Sequence, residues 1–315
     1  MALHSLVIPI FNEEENVHEL YRRLHQDLLM PIRNRGDDYE LVFVDDGSMD
    51  RSFQLLKELH EKDQKSIVII RFSRNFGHQM AITAGLDRAR GDTVTVLDAD
   101  LQDPPSIVLE MIQKWELSFD IVYAVRKKRL QEGLFKRLSA NFFYRILAYS
   151  TRLDIPKDVG DFRLMSRRTV DALRGLRERH RFMRGMAKWI GFKQTYVSYV
   201  REGRFAGTTK YPFQKMLRLA WDAFTGFSLL PLRAATFLGL SSAVVSFLVA
   251  LWALYIRFFT DQAIQGWTST IIIVLFLGGV QLFCIGVLGE YVGRIFEQVK
   301  NRPLYIIEEI VAPIK

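Results

Sequence analysis

With 315 residues, the chain is long enough for a sizeable core and more than one structural unit. Its formal net charge of +8 calls for an anionic partner: nucleic acid, an anionic membrane or a phosphorylated substrate. The single cysteine, Cys284, excludes an intramolecular disulfide and reads as a small packing residue.

Hydrophobic residues are unevenly spread, and this decides among the partners. Residues 234–256 and 269–289 carry no charge, and each stretch reaches the about 20 residues that a helix needs to cross a bilayer. The membrane is therefore the first partner to name. The chain enters a strand-like run, Leu3 to Pro9, without a basic and apolar signal segment, so the large N-terminal part is expected to stay in the cytoplasm.

From residue 1 to about 125, apolar runs alternate with amphipathic segments, the pattern of a parallel sheet covered by helices in an α/β fold. Strands are expected at Leu3 to Pro9, Tyr39 to Asp45, Ser66 to Phe72, Val94 to Asp98 and Asp120 to Ala124. Polar clusters stand where these strands end: Asn12-Glu13-Glu14, Asp45-Asp46-Gly47-Ser48, Arg74-Asn75-Phe76-Gly77 and Asp98-Ala99-Asp100-Leu101-Gln102-Asp103. Ligands of open α/β sheets bind at the carboxyl ends of strands, so the four loops should line one crevice. Taken singly, each loop is also an ordinary helix cap or turn. The acidic fourth loop has a further reading as a divalent-cation site, because closely packed carboxylates repel and hard oxygen donors suit Mg²⁺ or Mn²⁺. Neither a glycine-rich dinucleotide fingerprint nor a P-loop follows the first strand, which disfavours redox and P-loop chemistry.

Val7-Ile8-Pro9-Ile10-Phe11-Asn12-Glu13, Val44-Asp45-Asp46-Gly47-Ser48, Arg74-Asn75-Phe76-Gly77 and Asp98-Ala99-Asp100-Leu101-Gln102-Asp103-Pro104 together resemble family 2 inverting glycosyltransferases of the GT-A, Rossmann-like fold. Within these they are most similar to the polyprenyl-phosphate group related to dolichyl-phosphate mannose synthase. The two apolar spans add a likeness to the bacterial undecaprenyl-phosphate glucosyltransferases of O-antigen modification. The resemblance implies a UDP-sugar donor, a divalent metal, Mg²⁺ or Mn²⁺, and a polyprenyl phosphate acceptor. It assigns the metal to Asp98, Asp100 and Gln102, and the nucleotide sugar to Pro9, Asn12, Glu13, Asp45, Asp46, Asn75, Gly77, Asp98 and Ala99.

Residues 126–137 are dense in cations, which out of context is a solvated basic loop. The resemblance places Arg126 with Lys136 or Arg137 in the active site, binding phosphates. In Asp158-Val159-Gly160-Asp161-Phe162-Arg163-Leu164, two carboxylates flank a glycine, as in a turn entering a strand. The resemblance puts this region beside the sugar and makes Asp158, ahead of Asp161, the candidate for acceptor orientation or base chemistry. Arg181-Phe182-Met183-Arg184-Gly185 and a strand-like Tyr196 to Val200 follow. In the glycine-broken loop 201–211, Arg204, Thr208 and Lys210, with Thr209, can donate to a lipid phosphate.

These features divide the chain into a glycosyltransferase domain over 1–212, a juxtamembrane interfacial helix over 213–233, two spanning helices over 234–293 and a tail over 294–315. Basic residues before the first span and after the second put both termini in the cytoplasm. Gly278, Gly279, Gly286, Gly289 and Gly293 allow close helix packing, including between the subunits of a dimer or tetramer. The tail at Leu304 to Ile307 resembles a strand that could join a sheet edge, its own or a neighbour's. No Gln-x-x-Arg-Trp motif marks a processive synthase, and no helix-turn-helix, zinc-ligand set or RNP-like strand marks a nucleic-acid binder. A membrane scaffold with a degenerate nucleotide fold would need no intact metal site.

Overall fold

The computed structural model describes residues 1–127, 159–201, 203, 230–259 and 266–312. They form two compact units, Met1–Ala220 with Pro303–Lys315, and Trp221–Arg302.

The first unit opens with β1 (Leu3–Ile10), α1 (Val17–Leu24), a π-helical turn (His25–Leu29) and α2 (Met30–Asn34). β2 (Asp38–Asp45), α3 (Ser52–Lys62), β3 (Ile67–Phe72), α4 (His78–Arg88), β4 (Thr93–Val96), α5 (Ile107–Glu116) and β5 (Ile121–Arg126) follow. β6 (Val159–Ser166), α6 (Arg167–Gly175), α7 (Met183–Trp189) and β7 (Gln194–Tyr199) come next, and the C-terminal β8 (Ile307–Val311) completes the unit. One eight-stranded sheet results, in the order β7-β5-β6-β4-β1-β2-β3-β8. β1 to β5 and β7 run one way, while β6 and β8 are antiparallel to their neighbours.

Strands this apolar must be covered on both faces. Leu6, Ile8 and Ile10 of β1 and Phe43 of β2 join Leu20 of α1, Leu56 of α3 and Met111 of α5 in one buried cluster. The alternate residue Val7 points the other way, where the backbone of Gly85 in α4 lies against it. Strand order reverses at β1, with β2 on one side and β4 on the other, so the switch point of the sheet lies between β1 and β4.

The five expected N-terminal strands are all present, within a residue or two at each end. β5 runs on two residues past its expected end, to Arg126, and β4 stops two residues short, at Val96. The Leu97 N–H still bonds the Val7 carbonyl at 3.0 Å before the acidic loop turns away.

The 158–164 stretch, read as a turn entering a strand, is strand from Val159 on: β6 is buried along its whole length and lies between β4 and β5. One expectation needs correction. The tail strand begins at Ile307, later than the expected 304–307, and pairs antiparallel with β3 of its own chain.

The second unit holds α8 (Leu230–Phe259) and α9 (Trp267–Val299), both long and apolar enough to cross a membrane. Cys284 donates from Sγ to the Ala235 carbonyl at 3.3 Å, a packing position as its residue type suggested. The interfacial helix expected over 213–233 falls outside the described residues up to 229, and 230–233 already belong to α8.

Candidate active site at the carboxyl ends of the strands

The loops after β1, β2 and β3 are stitched together by short polar bonds. Asn12 adopts φ +51°, a left-handed conformation that Asn tolerates better than most residues. Its Oδ1 accepts from the Met49 N–H at 2.8 Å, and its own N–H donates to Ser48 Oγ at 2.9 Å. The Glu13 N–H donates to Ser52 Oγ at 2.8 Å, and Asn16 Nδ2 donates to Glu13 Oε2 at 2.5 Å. Pro9 is buried within β1 beneath these loops.

Asp45 and Asp46 divide the work of the second loop. Asp45 is fully buried: Oδ1 accepts from the Ser48 N–H at 3.2 Å, and Oδ2 has no hydrogen-bond donor but stands 3.6 Å from Arg71 Nε. Burial raises its pKa, with Ser48 and Arg71 opposing. Asp46 turns inward and accepts from the Phe76 N–H at 2.7 Å, the Gly77 N–H at 2.9 Å and Asn75 Nδ2 at 3.0 Å. Burial pushes it up to about 6 in spite of those donors. Asp46 and Asn75 were both expected to face the nucleotide, and here they bond each other. Gly47 lets the loops meet: at φ +69°, a Cβ would stand 2.5 Å from the Arg74 carbonyl carbon.

The acidic loop opens directly after β4. Leu101, at φ +60°, turns the chain, and the Gln102 N–H donates to Asp100 Oδ1 at 3.2 Å. Ala99 is buried. Asp98 Oδ1 is buried without a hydrogen-bond donor, 3.6 Å from His78 Nε2. Burial raises Asp98 to about 6, against the attraction of His78 and helped by the negative charges of Asp161, Asp103 and Asp100.

Asp161 on β6 is ringed by cations. Arg163 Nη2 lies 3.0 Å from its Oδ1 and Arg184 Nε 3.2 Å, while His78 Nε2 lies 3.4 Å from its Oδ2. Burial opposes ionisation, yet Arg184, His78 and Arg163 hold this carboxyl well below the usual range. An anion held so firmly suits fixing cations better than accepting a proton. The same surroundings act on His78 in reverse: burial works against its charge, but the Asp161 hydrogen bond and the Asp98 charge raise it to about 9.

A second group of cations stands against Asp100 and Asp103 of the acidic loop. Asp103 is buried; Tyr199 donates its hydroxyl proton to Oδ1, and Arg126 and Arg201 approach that oxygen to 4.0 Å and 3.7 Å. Arg201 Nη2 also lies 3.9 Å from Asp100 Oδ2. Burial raises the Asp103 pKa, with Tyr199 opposing.

One end of the sheet thus gathers Asp98, Asp100, Asp161 and Arg126 from the sequence expectation. It adds Asp103, which the sequence read only as one carboxylate of the acidic loop, and His78, Arg163, Arg184, Tyr199 and Arg201, to which the sequence assigned no role. Their signals were present but mute: His78 directly follows Gly77, and Arg184 sits in the Arg181-Phe182-Met183-Arg184-Gly185 stretch. Asp158, Lys136, Arg137, Arg204, Thr208 and Lys210 lie outside the described residues.

Among the described residues, no three His, Cys, Asp or Glu side chains are grouped to hold a metal ion. The donor chemistry still fits a hard divalent cation, because Asp98 presents an oxygen without a hydrogen bond amid mutually repelling carboxylates. Mg²⁺ characteristically takes one or two carboxylates and completes its shell with substrate phosphates and water.

A doubly covered, mostly parallel sheet with an acidic loop at its switch point is the layout of a GT-A nucleotide-sugar transferase. The chain belongs to glycosyl transferase family 2, whose model matches residues 5–174, and a model described as the GtrB C-terminal hairpin matches residues 230–295. It is 49% identical over 306 residues to "Uncharacterized glycosyltransferase YkcC" of Bacillus subtilis (strain 168), covering 97% of this chain and 93% of that one. It is also 42% identical over 306 residues to "SfII prophage-derived bactoprenol glucosyl transferase" of Shigella flexneri, covering 97% of each. The "Bactoprenol glucosyl transferase" of Shigella phage SfV is 41% identical over 305 residues, covering 96% of this chain and 97% of its own.

Proposed function

We propose that the protein is a membrane-bound inverting glycosyltransferase that moves a hexose, glucose, from a UDP-sugar to polyprenyl phosphate. The carrying observation is the placement of Arg126 and Arg201 against the acidic loop that holds Asp98 and Asp100. Two negatively charged substrates can meet only where cations offset both. The full-length likeness to bactoprenol glucosyl transferases supports glucose and the lipid carrier, and the two apolar helices support the membrane. By the distribution of basic residues, both termini and the active site face the cytoplasm.

The reaction forms a bond between a phosphate oxygen of the acceptor and the anomeric carbon, and breaks the bond from that carbon to the diphosphate of the donor. A phosphate monoester with a second pKa of about 6 is already an oxyanion at neutral pH. The task left to the protein is to hold two anions in line. Asp98, Asp100 and Gln102 would hold a Mg²⁺ or Mn²⁺ ion, which when bound neutralises charge on the leaving diphosphate. Asp45 and the stitched loops at Asn12 and Glu13 shape the nucleoside end. Arg126, with Lys136, Arg137, Arg204, Thr208 and Lys210, binds phosphate oxygens, and Asp158 orients the acceptor.

The test is to incubate the purified full chain with undecaprenyl phosphate and, separately, UDP-glucose, UDP-N-acetylglucosamine, a UDP-4-amino-arabinose derivative and GDP-mannose. Mass analysis of the lipid should find a hexosyl phosphate lipid with UDP-glucose, and Asp100→Ala should abolish it. A glycosylated lipid from another donor would reassign the sugar; no glycosylated lipid from any donor would sink the proposal.

A further inference from the structure

Arg126 closes β5, and its Cα partner across the parallel β5–β7 ladder is Tyr199. Paired residues in adjacent parallel strands project to the same face, which puts the phenol beside the guanidinium. Arg126 Nε donates to the Tyr199 hydroxyl at 3.1 Å, and that hydroxyl donates a hydrogen bond to Asp103 Oδ1. Tyr199 is itself fixed, being 3% exposed and edge-on to Phe162 with ring centroids 5.8 Å apart. The result is a chain of hydrogen bonds from the acidic loop, through a buried phenol, to an arginine.

Asp103 is an expensive anchor. It is 2% exposed, and its Oδ2 is buried without a hydrogen-bond donor. A buried carboxylate with one oxygen unsatisfied destabilises a fold unless it does something else.

A third feature leaves room for the same guanidinium. Gly160 on β6 has ordinary backbone angles, so its conformation does not demand glycine. What a side chain would displace is the arginine: a Cβ there would stand 2.9 Å from Arg126 Nη2 and 3.6 Å from its Cζ. The missing side chain is the place where the arginine fork lies. With Nε committed to Tyr199, the two terminal nitrogens form the face that a phosphate can occupy in bidentate fashion.

We propose that Tyr199, anchored by Asp103, and Gly160 are positioning residues that aim the Arg126 guanidinium at a substrate phosphate. This rests on the reading of Arg126 as a phosphate-binding residue. The phosphate belongs either to the lipid acceptor or to the nucleotide diphosphate, and the two sources are separable by measurement.

The experiment measures the KM for undecaprenyl phosphate and the Kd for UDP in the full-length wild type and in Tyr199→Phe, Gly160→Ala, Arg126→Ala and the two double variants that contain Arg126→Ala. Tyr199→Phe and Gly160→Ala should each raise one of these constants about tenfold, the fold-change that a lost charge-assisted hydrogen bond produces. A rise in KM alone assigns the lipid phosphate; a rise in Kd assigns the diphosphate. Neither substitution should worsen the constant further once Arg126 is alanine, because residues acting through one group are not additive. A purely structural effect would add in full.

Wild-type constants in both Tyr199→Phe and Gly160→Ala, or full additivity with Arg126→Ala, would overturn the positioning role while leaving Arg126 as a ligand. Unchanged constants in Arg126→Ala itself would overturn the reading beneath it. Should Tyr199→Phe fail to fold, Gly160→Ala decides alone, since its added carbon meets first the far end of a flexible side chain.

Discussion

His78 and Asp161 face each other at the strand ends, the imidazole Nε2 standing 3.4 Å from the carboxylate Oδ2. Asp161 also compensates Arg163, itself fully buried, and Arg184. Removing that one negative charge leaves buried cations unpaired, which typically costs about 3–5 kcal/mol. Asp161→Asn is therefore expected to lower the melting temperature of the detergent-solubilised protein as well as its turnover. A variant that melts normally and loses only turnover would instead make Asp161 the base.

Gly47 carries the junction between the second and third loops. Alanine there has a left-handed cost of roughly 1–2 kcal/mol and would also press a carbon to 2.5 Å from the Arg74 backbone. Gly36 is the matched control, with φ +83° and open space where a Cβ would go. Gly47→Ala should weaken UDP binding by an order of magnitude or more in calorimetric titration, whereas Gly36→Ala should affect only stability. Equal UDP affinities in the two variants would show that the loop junction does not shape the nucleotide site.

The first five strands were legible in the sequence because each centres on a run of apolar and β-branched residues, the mark of a strand buried on both faces. The acidic loop was legible from its carboxylates standing directly after such a run. β6 was not, because Asp161 and Arg163 break its apolar run, and what permits them inside a sheet is their pairing with each other, Arg184 and His78. Arg184 and His78 are distant in sequence, and periodicity does not report them. Nor does the Asp45-Asp46 pair declare which carboxylate turns inward. That follows from the bond between the Asp46 N–H and the Ile10 carbonyl and from the approach of the 75–77 loop, both long-range.

β8 depends on one aromatic anchor. The Tyr305 ring stacks on Phe72 with centroids 5.1 Å apart, and its hydroxyl donates to Asp87 Oδ2 at 2.7 Å. Tyr305→Phe should cost about 1 kcal/mol for the lost hydrogen bond. Tyr305→Ala should cost more, because the half-buried ring that stacks on Phe72 goes too, and should raise hydrogen exchange in β3 and β8 together. Protection of β3 unchanged in Tyr305→Ala would mean that the strand pairing does not need this anchor.

Asp120, at the entry to β5, supplies a pH dependence that can be worked out in sign. It accepts from Arg168 Nε and Nη2 at 2.5 Å each and from Ser166 Oγ at 2.9 Å. The Arg168 hydrogen bonds, opposed by burial and aided by Ser166, hold its pKa below the ordinary value. The unfolded chain titrates near about 3.9, so the folded state binds this proton less tightly. The stabilisation is then complete above the unfolded pKa and is lost as pH falls through the folded one. Arg168 is 64% exposed, and solvent screening keeps the contribution small. Asp120→Asn should accordingly melt lower than wild type at pH 7, with the gap closing as pH drops below about 3.9. A gap of the same size from pH 7 to pH 3 would assign the loss to packing rather than to the charge.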